Sequence, residues 1–500
     1  MALEPIFEKI NVIKESKTIE KRIKSECKTD VNSADVKKII NVYAVADVVN
    51  VEVENGKIKT LGRINYFICY ENEQGEIAKS ECGCEFLEDV EIENASGFLT
   101  AEAVASVYKT ELNTSGIKLT ITGYVEIKIT LKNAEEVVAL VGGDGLIADT
   151  TTVSVVRPLG ARQTNYPVSE EFEIPLGIKE VINHTASAVI TSTQCGVGVV
   201  IVDGEVYLSL TALTTDGKII KENRAFPFRA EVEQEEAMPA FPATAKVKVK
   251  SFKTDIAVSG ENESTAKAEI VLVFEATAYE CKEQTIAVDV FSTTNNVLLE
   301  KVETVTERPN ESRSVIQKVK GEGAIDGLEE GVSFGVITGE NVEITAQNST
   351  ENGVKITGVI SGSAIFTDAE NKIFSRKIHV PFERELDANL PCNTEFVVSA
   401  TIKNVTAKML TETEIEIEAE VVFLIACKEK ALLKVIGRVE DKGEKKIETS
   451  AISVYIAGAG ETLWQLAKRL NVCPSELLTA NKDLIFPLSG EERIVIYRQN

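Results

Sequence analysis

The sequence predicts a mostly β protein, with three tandem antiparallel β-sandwich-like repeats followed by a small βααβ domain. Three observations point there. One spacing recurs three times: Gly62-Arg-Ile-Asn-Tyr-Phe-Ile-Cys-Tyr with Gly75 and Phe86, Gly204-Glu-Val-Tyr-Leu-Ser-Leu with Gly217 and Phe228, and Gly358-Val-Ile-Ser-Gly-Ser-Ala-Ile-Phe with Asn371 and Phe382. In each, the turn residue stands 13 positions after the glycine and the phenylalanine 24 after it. Long runs of alternating apolar and polar residues fall later in each stretch, clearest in Glu414-Ile-Glu-Ile-Glu-Ala-Glu-Val421, and a period of two leaves one face dry and one wet. The last 47 residues change to a helical period between two short β-branched runs.

Residues 5–40 read as a partly helical lead-in to the first repeat, with Lys14 to Lys28 strongly charged. The repeat itself begins with a strand through Gly62, turns at Glu73-Gln-Gly75 and returns to deliver Phe86 to a core. Asp216-Gly217 repeats that turn, and Asn371 replaces the glycine because asparagine tolerates positive φ. Ile40, Ile182 and Val336 extend the match, each 22 residues before its glycine. Thr120 to Ile129 and Ala268 to Phe274 take the place that Glu414 to Val421 holds in the third repeat.

The glycines lie 142 and 154 residues apart, too long for a stacked solenoid of 20–50-residue repeats. Tandem domains at 1–146, 147–293 and 294–446 follow, ahead of 452–500. Their boundaries fall at Gly142-Gly-Asp-Gly145, Ser292-Thr-Thr-Asn-Asn296 and Glu440-Asp-Lys-Gly-Glu-Lys-Lys446. The last of these has six charges in seven residues and is expected to be a mobile tether that lets the end domain swing.

In the end domain, Thr462 and Gln465 form a Thr-x-x-Gln capping box, and Leu463, Leu466, Ala467 and Leu470 follow on one helical face. A second helix starts at Pro474 and Ser475, carries Leu477 and Leu478, and stops at Asn481. Arg493-Ile-Val-Ile-Tyr497 closes the domain as a strand. Trp464, at the second helical position, suits either a core or flanking contact or stacking on a sugar ring.

Composition narrows the function. With 78 acidic against 54 basic residues the net charge is -24, which disfavours nucleic acid and an anionic membrane as partners. From Val454 onward five acids (Glu461, Glu476, Asp483, Glu491, Glu492) meet five bases (Lys468, Arg469, Lys482, Arg493, Arg498), so residues 1–453 carry the whole excess. That excess serves solubility or steering towards a basic partner. The N-terminus lacks a basic start followed by an apolar run, and no stretch reaches the ~18 apolar residues of a membrane span. An intracellular chain is therefore expected, without direct membrane insertion, and nine scattered cysteines suit free thiols in a reducing compartment.

No catalytic constellation emerges. Two histidines, His184 and His379, give little material for a triad or a histidine-rich metal site. Cys82-Gly-Cys84 puts two sulfurs on one strand face without further ligands. Gly196-Val-Gly198 and Gly142-Gly-Asp-Gly145 do not lead into a helix as phosphate loops do. The carboxylates of Glu414, Glu416, Glu418 and Glu420 read as a solvated sheet face rather than a Ca²⁺ site. Catalytic residues, metals and cofactors are accordingly expected to be none.

The strand, helix, helix, strand order with Gly-Glu-Thr-Leu-Trp-Gln-Leu-Ala-Lys-Arg and the later Asn481 resembles the LysM domain. That resemblance implies binding of N-acetylglucosamine-containing glycans, such as peptidoglycan, in a shallow groove. Gly460, Glu461, Thr462 and Leu463 would form one side, and Asn481, Leu484, Ile485 and Pro487 the other. The chain departs from the family in Glu461, where aspartate is usual, in Cys473 between the helices, and in Tyr497 in place of a terminal proline.

Three β repeats ahead of this domain resemble the SPOCS family of spore coat morphogenetic proteins of endospore-forming Firmicutes. The carriers are Asp35-Val-Lys-Lys-Ile-Ile40, the Gly62, Gly204 and Gly358 strands, and the Pro-Phe pairs at Pro227 and Pro381, with Glu85 in place of the proline in the first repeat. The resemblance implies a non-enzymatic scaffold in the mother-cell cytoplasm, at the forespore surface. Its terminal domain would dock on the ATPase of the coat's basement layer. The alternative is a peptidoglycan-binding protein of cortex or cell wall.

Overall fold

A computed structural model describes residues 3–497 apart from 55, 93–97, 116, 259–262, 310–311, 326–327, 329–331, 351–352, 369–371, 388–393 and 447–451. The chain is mostly β and its sheets are antiparallel. The expected turn residue Asn371 and Cys392 lie outside the described residues.

The first stretch runs through β1 (Glu4–Asn32), β2 (Val36–Glu54), β3 (Lys57–Asn72), β4 (Ile77–Glu91), β5 (Phe98–Ser115) and β6 (Lys118–Asp144). β2, β3 and β4 form a meander, and β6 lies between β1 and β5 in a second sheet. Alternate residues of both sheets, among them Ile58, Ile64, Tyr66, Ile121, Val125 and Ile127, meet in one core.

The second stretch comprises β7 (Ile147–Pro158), β8 (Arg162–Ile174), β9 (Ile178–Cys195), β10 (Val199–Thr214), β11 (Ile219–Glu233), β12 (Ala243–Val258) and β13 (Ser264–Phe291). Its meander is β9, β10, β11, and the near half of β13 lies between β12 and β8, while the far half pairs with β7. The third stretch repeats this with β14 (Asn295–Pro309), β15 (Arg313–Ala324), β16 (Ser333–Ser349), β17 (Gly353–Thr367), β18 (Ile373–Asp387), β19 (Thr394–Met409) and β20 (Glu414–Glu444). β20 pairs first with β15 and β19, then with β14.

The recurring spacing has a steric cause. Hairpin register sets Gly62 opposite Phe86, Gly204 opposite Phe228 and Gly358 opposite Phe382. Each ring folds over its glycine: a Cβ on Gly62, Gly204 or Gly358 would come within 2.0, 2.3 or 2.5 Å of ring atoms. A strand glycine covered by a cross-strand aromatic restores the apolar contact that the missing side chain would have made. At the hairpin turns Gly75 and Gly217 take φ of +83°, where other residues are strained.

Two expectations fail. Residues 4–32 are a strand and not a helical lead-in: β1 pairs with β6 from Glu4 opposite Asp144 to Asn32 opposite Lys118, and only a short 3-10 turn at Ser33–Asp35 follows. Ile19 and Ile23 fit a period of four as well as two, and Cys27, Thr29 and Val31, all buried, settle the period as two. Nor is the segment at 440–446 a free tether. Glu440 and Asp441 pair with Leu298 and Val297 in the β14–β20 ribbon, and the Lys445 ammonium donates to Ser292 O at 2.6 Å and Asn471 Oδ1 at 2.7 Å. Cross-strand pairing satisfies the backbone of a charged segment as well as it does that of an apolar one.

The three stretches close on one another. Ile10, Val12, Val137 and Ala139 of the β1–β6 ribbon pack with Ile286 of β13 and with Leu433 and Val435 of β20. At the meander ends Ile40, Ile182 and Ile365 are buried together with Cys69, and Val336 packs against them. Thus the three positions 22 residues before each glycine converge. Polar contacts run round the same junction: Tyr43 OH donates to His184 O at 3.4 Å, Asn183 Nδ2 to Thr338 Oγ1 at 2.6 Å, and Ser363 Oγ to Asn41 Oδ1 at 3.0 Å. Lys221 and Glu340 make an ion pair whose side chains are 9% and 5% exposed.

Burial, aided by the charge of Lys79, pulls the His184 imidazole down to about 4, and its ring meets Phe252 edge-on at 4.8 Å. A depressed folded pKa contributes stability above the unfolded value of ~6.5, and that contribution is lost as pH falls through the folded one. Denaturant midpoints should therefore fall between pH 6.5 and about 4, and His184→Phe should flatten this window. An unchanged slope in the variant would remove His184 from the account.

The acidic run of β20 is a partly solvated face whose charge is matched at Glu416 and Glu418. Ile415, Ile417 and Ala419 are buried, while Lys408 reaches Glu416 at 2.8 Å and Lys318 and Lys320 reach Glu418 at 3.2 and 2.6 Å.

Candidate functional site

After the last long strand the chain forms β21 (Ile452–Ile456), α1 (Leu463–Leu470), α2 (Pro474–Ala480) and β22 (Arg493–Tyr497), with β21 and β22 antiparallel. Thr462 caps α1: Gln465 N donates to Thr462 Oγ1 at 3.3 Å and Thr462 N to Gln465 Oε1 at 3.0 Å, so two orphan amides are satisfied reciprocally. Asn471 ends the helix in the left-handed region at φ 55°, where asparagine is at home. Pro474 opens α2, its missing N–H harmless in a first turn. Leu466, Ala467, Leu470, Leu477, Ile494 and Ile496 are buried between helices and sheet.

The two sides of the expected groove are joined. Gly460 N donates to Leu488 O at 2.7 Å, and Leu488 N to Glu461 O at 3.0 Å. The loop after Leu488 is held by Glu492, whose carboxylate accepts from Ser489, Gly490 and Glu491 N at 2.8, 2.9 and 3.1 Å. Those backbone donors, Ser489 first, draw it down to about 2.

The eight expected residues divide by role. Glu461 accepts from Gly458 N at 2.6 Å and takes both arms of the Arg469 guanidinium at 2.7 and 2.8 Å, which hold it below the usual carboxylate range. The Asn481 side chain donates to Leu477 O and Val495 O and accepts from Val495 N, so it ties α2 to β22. Thr462 is the helix cap. Leu463 and Leu484 are half-buried against the core. Gly460, Pro487 and Ile485 face outwards, with Ile485 82% exposed.

Sequence patterning missed the face by which this domain meets the rest of the chain. Phe291, at the end of β13, is buried in the domain's core, and the Trp464 ring meets it edge-on at 5.3 Å. Asp289 accepts from Trp464 Nε1 at 2.9 Å and from Lys468 Nζ at 2.7 Å on both oxygens. Asn471 Nδ2 donates to Thr293 O at 2.7 Å. The indole is thus an internal contact. No local signal announces it, because the partners are nearly two hundred positions away.

Burial would raise Asp289, but the hydrogen bonds from Lys468 and Trp464 outweigh it, and its pKa lies below the ordinary aspartate value. Docking is accordingly full above that ordinary value, ~3.9, and weakens as pH falls through the depressed one. Asp289→Asn should cost the contact about 1.5–3 kcal/mol, the range for hydrogen bonds to a charged group. Trp464, the single tryptophan, reports it directly: its emission should shift to the red in the variant, and an unshifted spectrum would contradict the contact.

Two concavities mark the described surface. One of about 470 Å³ lies where the three stretches meet, beside Lys221, Glu340, Lys377 and Lys403. A second of about 1200 Å³ separates the end domain from the turn at 293–296 and is lined by Lys445, Lys446, Lys468, Arg469, Val495 and Tyr497. Among the described residues no group of three or more His, Cys, Asp or Glu is arranged to hold a metal ion, and no helix is long and apolar enough to cross a membrane. Comparison with family models, curated proteins and solved structures yields no match to this chain.

Proposed function

We propose that the chain is a non-enzymatic spore coat morphogenetic scaffold of the SPOCS-plus-LysM kind. In this reading its three β stretches are copies of one sandwich-like domain, and its end domain docks a protein of the coat's basement layer at the forespore surface, in the mother-cell cytoplasm. The observation that carries the choice of a protein over a glycan is how the groove's polar groups are used. Glu461, Thr462, Asn481 and the Gly460 amide are all engaged within the domain, and the indole is turned to Asp289 and Phe291. What remains outward is the apolar Ile485 with Pro487 and Gly460. A sugar is recognised by free hydrogen-bonding groups and an open aromatic face, whereas an exposed aliphatic anchor suits a protein pocket.

The same loops would serve the coat ATPase that the family resemblance implies. A fluorescent fusion in sporulating cells tests this. Ile485→Asp, on an exposed position that leaves the domain folded, should leave the fusion dispersed in the mother cell. Normal encasement of the forespore by that variant would refute the groove as the anchor.

A further inference from the structure

The cleft of about 1200 Å³ beside the end domain is basic on an otherwise acidic molecule. Lys445, Lys446, Lys468 and Arg469 line it against one carboxylate, Glu476, while the whole chain carries -24. Lys468 and Arg469 have carboxylate partners in Asp289 and Glu461, whereas among the described residues Lys445 is held by the neutral oxygens of Ser292 and Asn471.

The cleft reaches the β21–β22 sheet at Val495 and Tyr497. There the outer sheet face is apolar: Val454 stands opposite Val495 and Ile452 opposite Tyr497, and Ile452, Val454 and Ile456 are 62%, 59% and 71% exposed. Among the described residues β21 pairs with β22 alone, so no described strand covers its other edge. Such an edge beside an apolar face and a cationic rim fits an extended acidic segment.

The chain itself carries such a segment. Beyond Phe228, β11 pairs only with β10 and alternates buried Ala230 and Val232 with exposed Glu231 and Glu233. Opposite those two acids stand Val199 and Ile201, which supply no countercharge. The equivalent positions after Phe86 and Phe382 are also carboxylates, Asp89 and Glu91, and Glu385 and Asp387. In those two hairpins Lys59, Lys57 and Lys355 stand opposite Asp89, Glu91 and Glu385, so the two acids of β11 are set apart by having no cross-strand lysine.

We propose that the basic cleft and the β21 edge of one copy receive the acidic end of β11, Glu231 to Glu233, from a second copy. The two surfaces differ, so the contact is heterologous and propagates into open chains of copies rather than closing as a dimer.

Sedimentation of the full-length protein over a concentration series tests this with charge reversals. Wild type should form species that grow with concentration and dissolve at high salt, where exposed charges are screened. Lys446→Glu alone, and Glu231→Lys with Glu233→Lys alone, should each weaken assembly at least tenfold. Their equimolar mixture should restore it, because each variant then offers the charge the other lacks; that recovery also excludes misfolding. Ile485→Asp, the variant that probes the groove, should assemble as wild type, so failure here is distinct from failure of the docking proposal. A wild type that stays monomeric throughout, or a mixture that assembles no better than its components, overturns the proposal.

Discussion

Replacing Lys221 with methionine is expected to lower stability by about 3–5 kcal/mol, because Glu340 is then left as a buried charge without its partner. Both side chains lie almost wholly inside the junction between the second and third stretches. Taking two charges out of water costs about what their attraction returns, so the pair contributes little beyond a neutral contact of the same shape. Lys221→Met with Glu340→Leu should therefore lie close to wild type in urea midpoint, and far above either single variant. Glu340→Gln adds a pH signature. Burial pulls the Lys221 ammonium down to about 7 with Glu340 in place, and loss of that carboxylate lowers it further, so the cost of losing Glu340 should open as pH falls through about 7 and grow below it. Single variants as stable as the double would show that the junction is wet and the pair unimportant.

Phe228→Ala is the second large expected loss, about 3–5 kcal/mol for a buried aromatic truncated in a core. The ring is buried, meets Phe274 edge-on at 5.1 Å and covers Gly204. The reverse change, Gly204→Ala, should cost more than the usual 1–3 kcal/mol of an overfilled core. Its new Cβ would stand 2.1 Å from Val189 O as well as 2.3 Å from the Phe228 ring. The ring can move; the carbonyl belongs to the paired strand β9 and cannot move without opening the sheet. Combining both changes should therefore fail to rescue Gly204→Ala, which thermal unfolding followed by circular dichroism can read. Full rescue would mean that the ring alone requires the glycine.

The Gly-turn-Phe spacing was legible in sequence because a hairpin converts sequence distance into register, and register is local. The mostly β class was legible for a similar reason, since a period of two is written along each strand, as in Glu414 to Val421. The lead-in is ambiguous in sequence because Ile19 and Ile23 satisfy two periods at once, and only the partner strand β6, over a hundred positions away, selects between them. The segment at 440–446 has the composition of a tether because charge suits solvation, yet its backbone completes a ribbon with β14. In the end domain the capping box at Thr462 and Gln465 could be read residue by residue. Asp289, which holds Trp464 and Lys468, could not, because the contact exists only once the chain has folded back.

That contact and the internally spent groove carry the main functional claim, that the end domain presents a fixed apolar surface to a protein and not an open sugar site. The direct measurement is a calorimetric titration of the full-length chain, wild type and Ile485→Asp, with the purified coat basement-layer ATPase and separately with chitin oligomers. The account predicts saturable binding of the ATPase that Ile485→Asp abolishes, and no heat from the oligomers. Saturable binding of chitin oligomers, with no response to the ATPase, would contradict it.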